Sequence, residues 1–217
     1  MAVQRNRSGS KLVRTAGLLA SASFLSMFGA NAAQAACTPS TPQPLNNITA
    51  PGTLVNCDGP NSGETIVANT NTVRVEVNGA GDTLNNSTVT FNDESGWVTV
   101  ANGGSMANTI ITSTGANTEV SIGGLGLGIG SAPNLTLFMT GDGGSLRIGA
   151  GSFASADPGF LQFSNPTSGG YQGISVQGTL AALGNNGGNY LIQGGTGSQE
   201  LNISGTLTVQ PNGLAFD

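Results

Sequence analysis

Between residues 83 and 124, apolar and polar positions alternate in four short runs: STVTF (87–91), GWVTV (96–100), NTIIT (108–112) and TEVSI (118–122). Asn, Gly, Asp or Ser separates each run from the next. Val, Ile, Thr and aromatic side chains suit a pleated, half-buried strand, and Gly and Asn accept the positive φ of tight turns. The alternation therefore predicts strands recurring about every ten residues. The same pattern starts at Glu64 and is cleanest at 72–78, where Val73, Val75 and Val77 share one face and Arg74 and Glu76 the other. An exposed Arg/Glu pair of that kind is a surface contact worth about 0–1 kcal/mol. Further strands are expected at 134–139, 145–148, 159–163, 173–176, 189–192, 200–203 and 206–209. Only 179–183 offers a short helical window. In 124–130 (GLGLGIG) Leu125, Leu127 and Ile129 alternate with bare glycine, which predicts a strand with an apolar inner face and a close-approach outer face. A phosphate-binding loop would need irregular spacing and a following helix, and this run has neither.

Strands this short and evenly spaced leave no room for the helices of a doubly wound fold. One Trp and two Tyr cannot supply the aromatic girdles of a membrane barrel. Between a β-sandwich and a β-solenoid, recurrent Asn and Gly at the turns favour the solenoid, where Asn side chains ladder from coil to coil. The expected fold is all-β, a right-handed parallel β-helix with an irregular N-terminal cap. About eight coils of roughly 20–24 residues would account for it.

The N-terminus alters the charge picture. Arg5, Arg7, Lys11 and Arg14 precede an apolar run, and Ala33-Gln34-Ala35 gives a small-x-small cleavage site. Residues 1–35 read as a secretory signal peptide cut between Ala35 and Ala36. The apolar run is shorter than the ~20 residues a membrane span needs. Removing the signal leaves Arg74 and Arg147 against eleven carboxylates, a net charge of −9, with no lysine and no histidine. Such a surface repels phosphate backbones and anionic lipid, so nucleic acid is not an expected partner.

Residues 36–63 are rich in proline, show little alternation and contain both cysteines, Cys37 and Cys57. In an exported chain two nearby cysteines pair, here tying a cap ahead of a strand-rich domain at 64–217. Acylation of Cys37 as a lipoprotein N-terminus is the alternative; it wants an aliphatic residue three positions upstream, where Gln34 stands.

The Ala-rich signal, Ala36-Cys37-Thr38-Pro39, the segment Thr53-Leu-Val-Asn-Cys57-Asp-Gly59 and repeats such as Gly205-Thr206-Leu207-Thr208-Val209 resemble the start of a bacterial autotransporter (type V secretion) passenger domain. The resemblance covers the whole chain after residue 35. It implies an exported β-helix at the cell surface or outside the cell, often adhesive and sometimes carrying a protease or esterase. It also implies a translocating outer-membrane barrel, which does not follow here within 217 residues; the barrel is expected as a separate or missing partner. With only 210–217 after the last predicted strand, the C-terminal coil is expected to leave an open edge able to self-associate.

Gly141-Asp-Gly-Gly-Ser145 resembles the nucleophile motif of serine-protease passengers, with Gly143 at the serine position. Without histidine no Ser-His-Asp relay can form, and without lysine after residue 35 no Ser/Lys variant. Asp82, Asp93, Glu94, Asp142 and Asp157 are candidate carboxylates for polysaccharide cleavage, which needs a pair at roughly 5–9.5 Å. Solvated turn carboxylates are the simpler reading. Gly123-Gly-Leu-Gly126 lacks the Asp of a calcium-binding nonapeptide repeat, and no transition-metal site is expected without histidine or a cysteine cluster. No cofactor is expected. Three classes remain: a structural or adhesive module with a surface or glycan ligand, a β-helical polysaccharide-active enzyme, and an ice- or surface-binding solenoid. The irregular spacing of Thr along the chain argues against the third.

Overall fold

The computed structural model describes residues 36–124, 126, 128–156, 161–164, 171–182, 190–193, 198–209 and 215–216. The expected signal peptide, the carboxylate Asp157, and Leu125 and Leu127 of the 124–130 run lie outside the described residues.

The chain forms a parallel β-solenoid. Each full coil passes through three faces, and equivalent segments of successive coils stack in parallel. The first face carries Leu54–Asn56, Arg74–Asn78, Trp97–Ala101, Glu119–Ile122, Ser145–Ile148, Tyr171–Val176 and Ser198–Ile203. The third carries Thr65–Ala68, Thr88–Phe91, Ile110–Ser113, Thr136–Met139, Leu161–Ser164, Tyr190–Gln193 and Ala215–Phe216. The second face is narrower. It begins with Pro60–Ser62 and Thr83–Asn85, continues through the single bridging residue Ser105, and resumes with Ser131–Ala132, Phe153–Ser155, Thr179–Ala182 and Thr206–Val209. Regular stacking thus starts at Leu54, ten residues before the alternation becomes legible. Thr38–Pro39 pairs antiparallel with Leu54–Asn56 and covers the first edge of the stack.

Alternation explains the interior. Val55, Val75, Val98, Val120, Leu146 and Ile174 form one inward column along the first face, all in register. Ile66, Val89, Ile111, Leu137 and Leu161 form the opposing column on the third. Each of these side chains is buried. Burying a side chain of this size stabilises by about 1.5–3 kcal/mol, so the stacked columns hold the coils together. Cys37 and Cys57 are bonded to each other, as expected.

Three expectations fail: two concern single elements, and the third is coil length, expected at roughly 20–24 residues but reaching 26, 28 and 27 in the later coils. The run 124–130 is not the expected strand: its described residues, Gly124, Gly126 and 128–130, take turn and loop geometry. Gly123, Gly124, Gly126 and Gly128 have φ of 63°, 91°, 80° and 73°, a geometry that cannot continue a pleated strand. The Gly124 N–H closes the turn on the Gly128 carbonyl at 3.1 Å, and Ile129 is 58 % exposed instead of inward. The helical window at 179–183 is also overturned: Thr179–Ala182 is a strand between Phe153–Ser155 and Thr206–Val209. Parallel neighbours on both edges satisfy its backbone groups, which outweighs a weak helical propensity. Among the described residues there is no helix.

Successive first-face strands are 20, 23, 22, 26, 28 and 27 residues apart. The corners absorb the variation. Val100 to Ser105 spans five residues and the equivalent Ile122 to Ser131 spans nine, the four extra lying in the glycine loop. At the third corner Gly52, Thr72, Ser95, Asn117 and Gly143 succeed one another with φ between 57° and 72°.

Candidate functional site

Because the strands stack without slip, outward side chains also fall into columns. On the first face one column is Arg74, Trp97, Glu119, Ser145, Gly173 and Glu200. The neighbouring column is Glu76, Thr99, Ser121, Arg147, Ser175 and Asn202. Both arginines that follow residue 35 and the only tryptophan therefore stand on one face.

The Arg74 guanidinium lies over the Trp97 ring, 5.7 Å from its centroid, and meets Glu76 Oε1 at 3.4 Å. The pairing of Arg74 with Glu76 is the surface contact that the alternation predicts. Three coils on, Arg147 Nε reaches back to Glu119 Oε1 at 3.3 Å. Beyond Arg147 the side chains shrink. Gly173 stands between Ser145 and Glu200, and its missing side chain leaves a depression of about 190 Å³ lined by Ser145, Arg147, Gly173, Ser175, Glu200 and Asn202. A smaller one, about 50 Å³, lies on the other side of Arg147 against Ser121, Gly149 and Gln177. Both fall below the roughly 300 Å³ of a pocket that engulfs a small molecule. They suit a ligand lying lengthwise on the face. At about 4.8 Å per coil, the column from Trp97 to Glu200 is about 19 Å long.

The sequence-level carboxylate candidates go elsewhere. Asp82 sits at the first corner, where its Oδ1 accepts the Gly59 N–H at 2.7 Å. Asp93 accepts the N–H of Glu94 at 2.8 Å, at the exposed third corner. Asp142 lies at that same corner, its carbonyl accepting the Asn117 N–H at 2.6 Å. On the first face, Glu119 and Glu200 are separated by Ser145 and Gly173, three coils or about 14 Å, well outside the window for paired carboxylates. Among the described residues no three acidic or cysteine side chains gather as a metal site. Ser145, from the protease-like motif, is one polar position in the groove. No protein-family model matches the chain, and neither curated proteins nor solved structures contain a significant match.

Sequence reading missed the first-face site. Alternation places Arg74 and Trp97 outward separately, but only the pairing register puts one over the other.

Proposed function

We propose that the chain is an exported, autotransporter-passenger-like adhesion module without catalytic activity of its own, and that its first face binds a glycan. The observation that carries this reading is the column that runs from the Arg74–Trp97 stack through Glu119 and Arg147 to the depression at Gly173. An indole face offers apolar area to a sugar ring, and flanking guanidinium, carboxylate, amide and hydroxyl groups offer hydrogen bonds to its hydroxyls. The signal-like residues before Ala36 and the low basic content support export and a non-nucleic-acid ligand. The wide separation of Glu119 and Glu200 favours binding over cleavage.

Retention of the purified chain on a panel of immobilised polysaccharides tests the reading. Trp97→Ala and Arg147→Ala are each expected to lower retention at least tenfold while the fold is kept. Failure of the folded chain to bind any member of the panel, or release of new reducing ends from a bound one, would defeat it. Export is checked separately, by N-terminal sequencing of secreted material, which is expected to start at Ala36.

A further inference from the structure

The third face differs in chemistry from the first. Its outward columns are Thr65, Thr88, Ile110 and Thr136, and beside them Val67, Thr90, Thr112 and Phe138. No charged side chain occupies any of these positions in a chain that carries eleven carboxylates. The described charges lie on the first face or at the corners. Irregular spacing of Thr along the chain becomes five Thr in these eight stacked positions, interrupted by Val67, Ile110 and Phe138 and followed by Gln162, because residues in excess of a regular repeat are expelled into the corners.

The outward hydroxyls of this face, like those of Thr99, Ser145 and Ser175 on the first, differ from the buried ones. Buried and corner hydroxyls are committed to the protein: Thr109 donates to the Leu84 carbonyl at 2.7 Å, Ser87 to the Asn85 carbonyl at 2.8 Å, and Ser113 and Thr118 bond each other at 2.7 Å. Thr65, Thr88, Thr90, Thr112 and Thr136 make no side-chain hydrogen bond to the described residues. On an outward face such hydroxyls are open to water. The strand geometry fixes where that water sits. Neighbours in a column are about 4.8 Å apart, and residues i and i+2 of one strand about 6.6 Å apart. β-Branched side chains are stiff at χ1, so each hydroxyl and methyl holds its place in this two-dimensional array. Ordered water on such an array needs little rearrangement to join a crystal, and the absence of charge removes the groups that would keep a strongly bound, misaligned hydration shell.

We propose that the third face is an ice-binding surface, in which the Thr-rich columns from Thr65 to Thr136 and from Val67 to Thr112 hold water in a lattice that merges with ice. The proposal is independent of glycan binding, which uses the opposite set of side chains.

Ice is the probe. The purified chain is expected to shape growing ice crystals and to hold their freezing point below their melting point. The double variant Thr90→Tyr/Thr112→Tyr places two rings above the array at outward positions. It should lose the gap to the buffer value, with an unchanged far-ultraviolet circular dichroism spectrum. The single variant Thr88→Lys should do the same if the double variant does not fold. Arg74→Ala/Arg147→Ala, on the first face, should keep the full gap. Absence of both shaping and gap in the folded chain overturns the proposal. So does a gap that Thr90→Tyr/Thr112→Tyr and Thr88→Lys leave intact. Retention on a neutral insoluble polysaccharide that these variants abolish, without any shaping of ice, also overturns it and assigns the face to that polymer.

Discussion

Asn134 donates its side-chain amide to the Oδ1 of Asn108, one coil earlier, at 2.8 Å. Asn108 in turn donates to Asn86 at 3.3 Å, and Asn86 to the Ser62 hydroxyl at 3.2 Å. All three asparagines have φ between 49° and 58°. One residue type thus meets two demands, a left-handed backbone at the corner and a side chain that hydrogen-bonds along the stack. The demands can be separated by mutation. Asn108→Gly keeps the backbone freedom and loses only exposed hydrogen bonds, about 1 kcal/mol. Asn108→Ala loses the same bonds and keeps a Cβ in the left-handed region without the short polar side chain that lets Asn adopt it, so it should lie about 1–2 kcal/mol below the Gly variant. Urea denaturation should rank the variants wild type, Gly, Ala in falling stability; equal midpoints for Gly and Ala would show that the corner backbone relaxes freely.

Gly141 at the third corner acts through space, not conformation. A Cβ on Gly141, which is buried, would fall on the carbonyl oxygen of Gly115 in the preceding coil, a backbone atom that cannot swing aside. Gly141→Ala should therefore cost about 1–3 kcal/mol, as overpacking does. Gly52 is the contrast. It has φ +72° with nothing within 4 Å of a Cβ, and the equivalent positions carry Thr72, Ser95 and Asn117. Gly52→Asn should stay within about 0.5 kcal/mol of wild type. Thermal melts of the two variants compare them directly.

The fold class was legible because it depends on periodicity, which is written locally. Val73, Val75 and Val77 alternate with Arg74 and Glu76, and the described structure buries the first set and not the second. The glycine loop was misread for the same reason. Leu125, Leu127 and Ile129 have perfect period two, and nothing in that period reports the sign of φ at the intervening glycines. The faces proposed to bind were illegible because they depend on register. Arg74 meets Trp97 across 23 residues, whereas Thr65 meets Thr88 across 23 and Thr88 meets Ile110 across 22. Coil lengths that vary at the corners make irregular spacing in sequence compatible with regular columns in space. The disulfide was legible because a signal-like N-terminal sequence and two cysteines leave one intramolecular pairing.

That disulfide fastens the start of the stack. Cys37 precedes the Thr38–Pro39 strand that covers Leu54–Asn56, and Cys57 follows Leu54–Asn56 directly. Both cysteines are buried, and they are 20 residues apart. Closing a loop of that length stabilises by about 3 kcal/mol in the chain-entropy account. Cys37→Ser/Cys57→Ser should lower the denaturation midpoint accordingly, and reduction of the wild type should reproduce the shift. Mass spectrometry after alkylation of unreduced protein should find no modified cysteine. A midpoint indifferent to reductant would mean that the antiparallel cover holds without its covalent tie.

Trp97 is the only tryptophan, so intrinsic fluorescence reports on the first face alone. The Arg74 side chain above it is 53 % exposed, and a cation–π contact at such a site contributes about 0.5–1 kcal/mol. The companion ion pair with Glu76 is equally solvated and adds little. Arg74→Ala should therefore change stability by no more than about 1 kcal/mol. Its effect on the indole should be plainer, because removing the guanidinium and its stem opens one ring face to water. The emission maximum should move to longer wavelength, and quenching by acrylamide should increase. Arg74→Lys keeps a cation and most of the stem but loses the planar stack, so it should fall between the two. A glycan seated on the first face would reverse the change by covering the ring again. Emission from Arg74→Ala identical to wild type would mean that the guanidinium does not rest on Trp97 in solution, and that the ring stands open for a ligand without displacing anything.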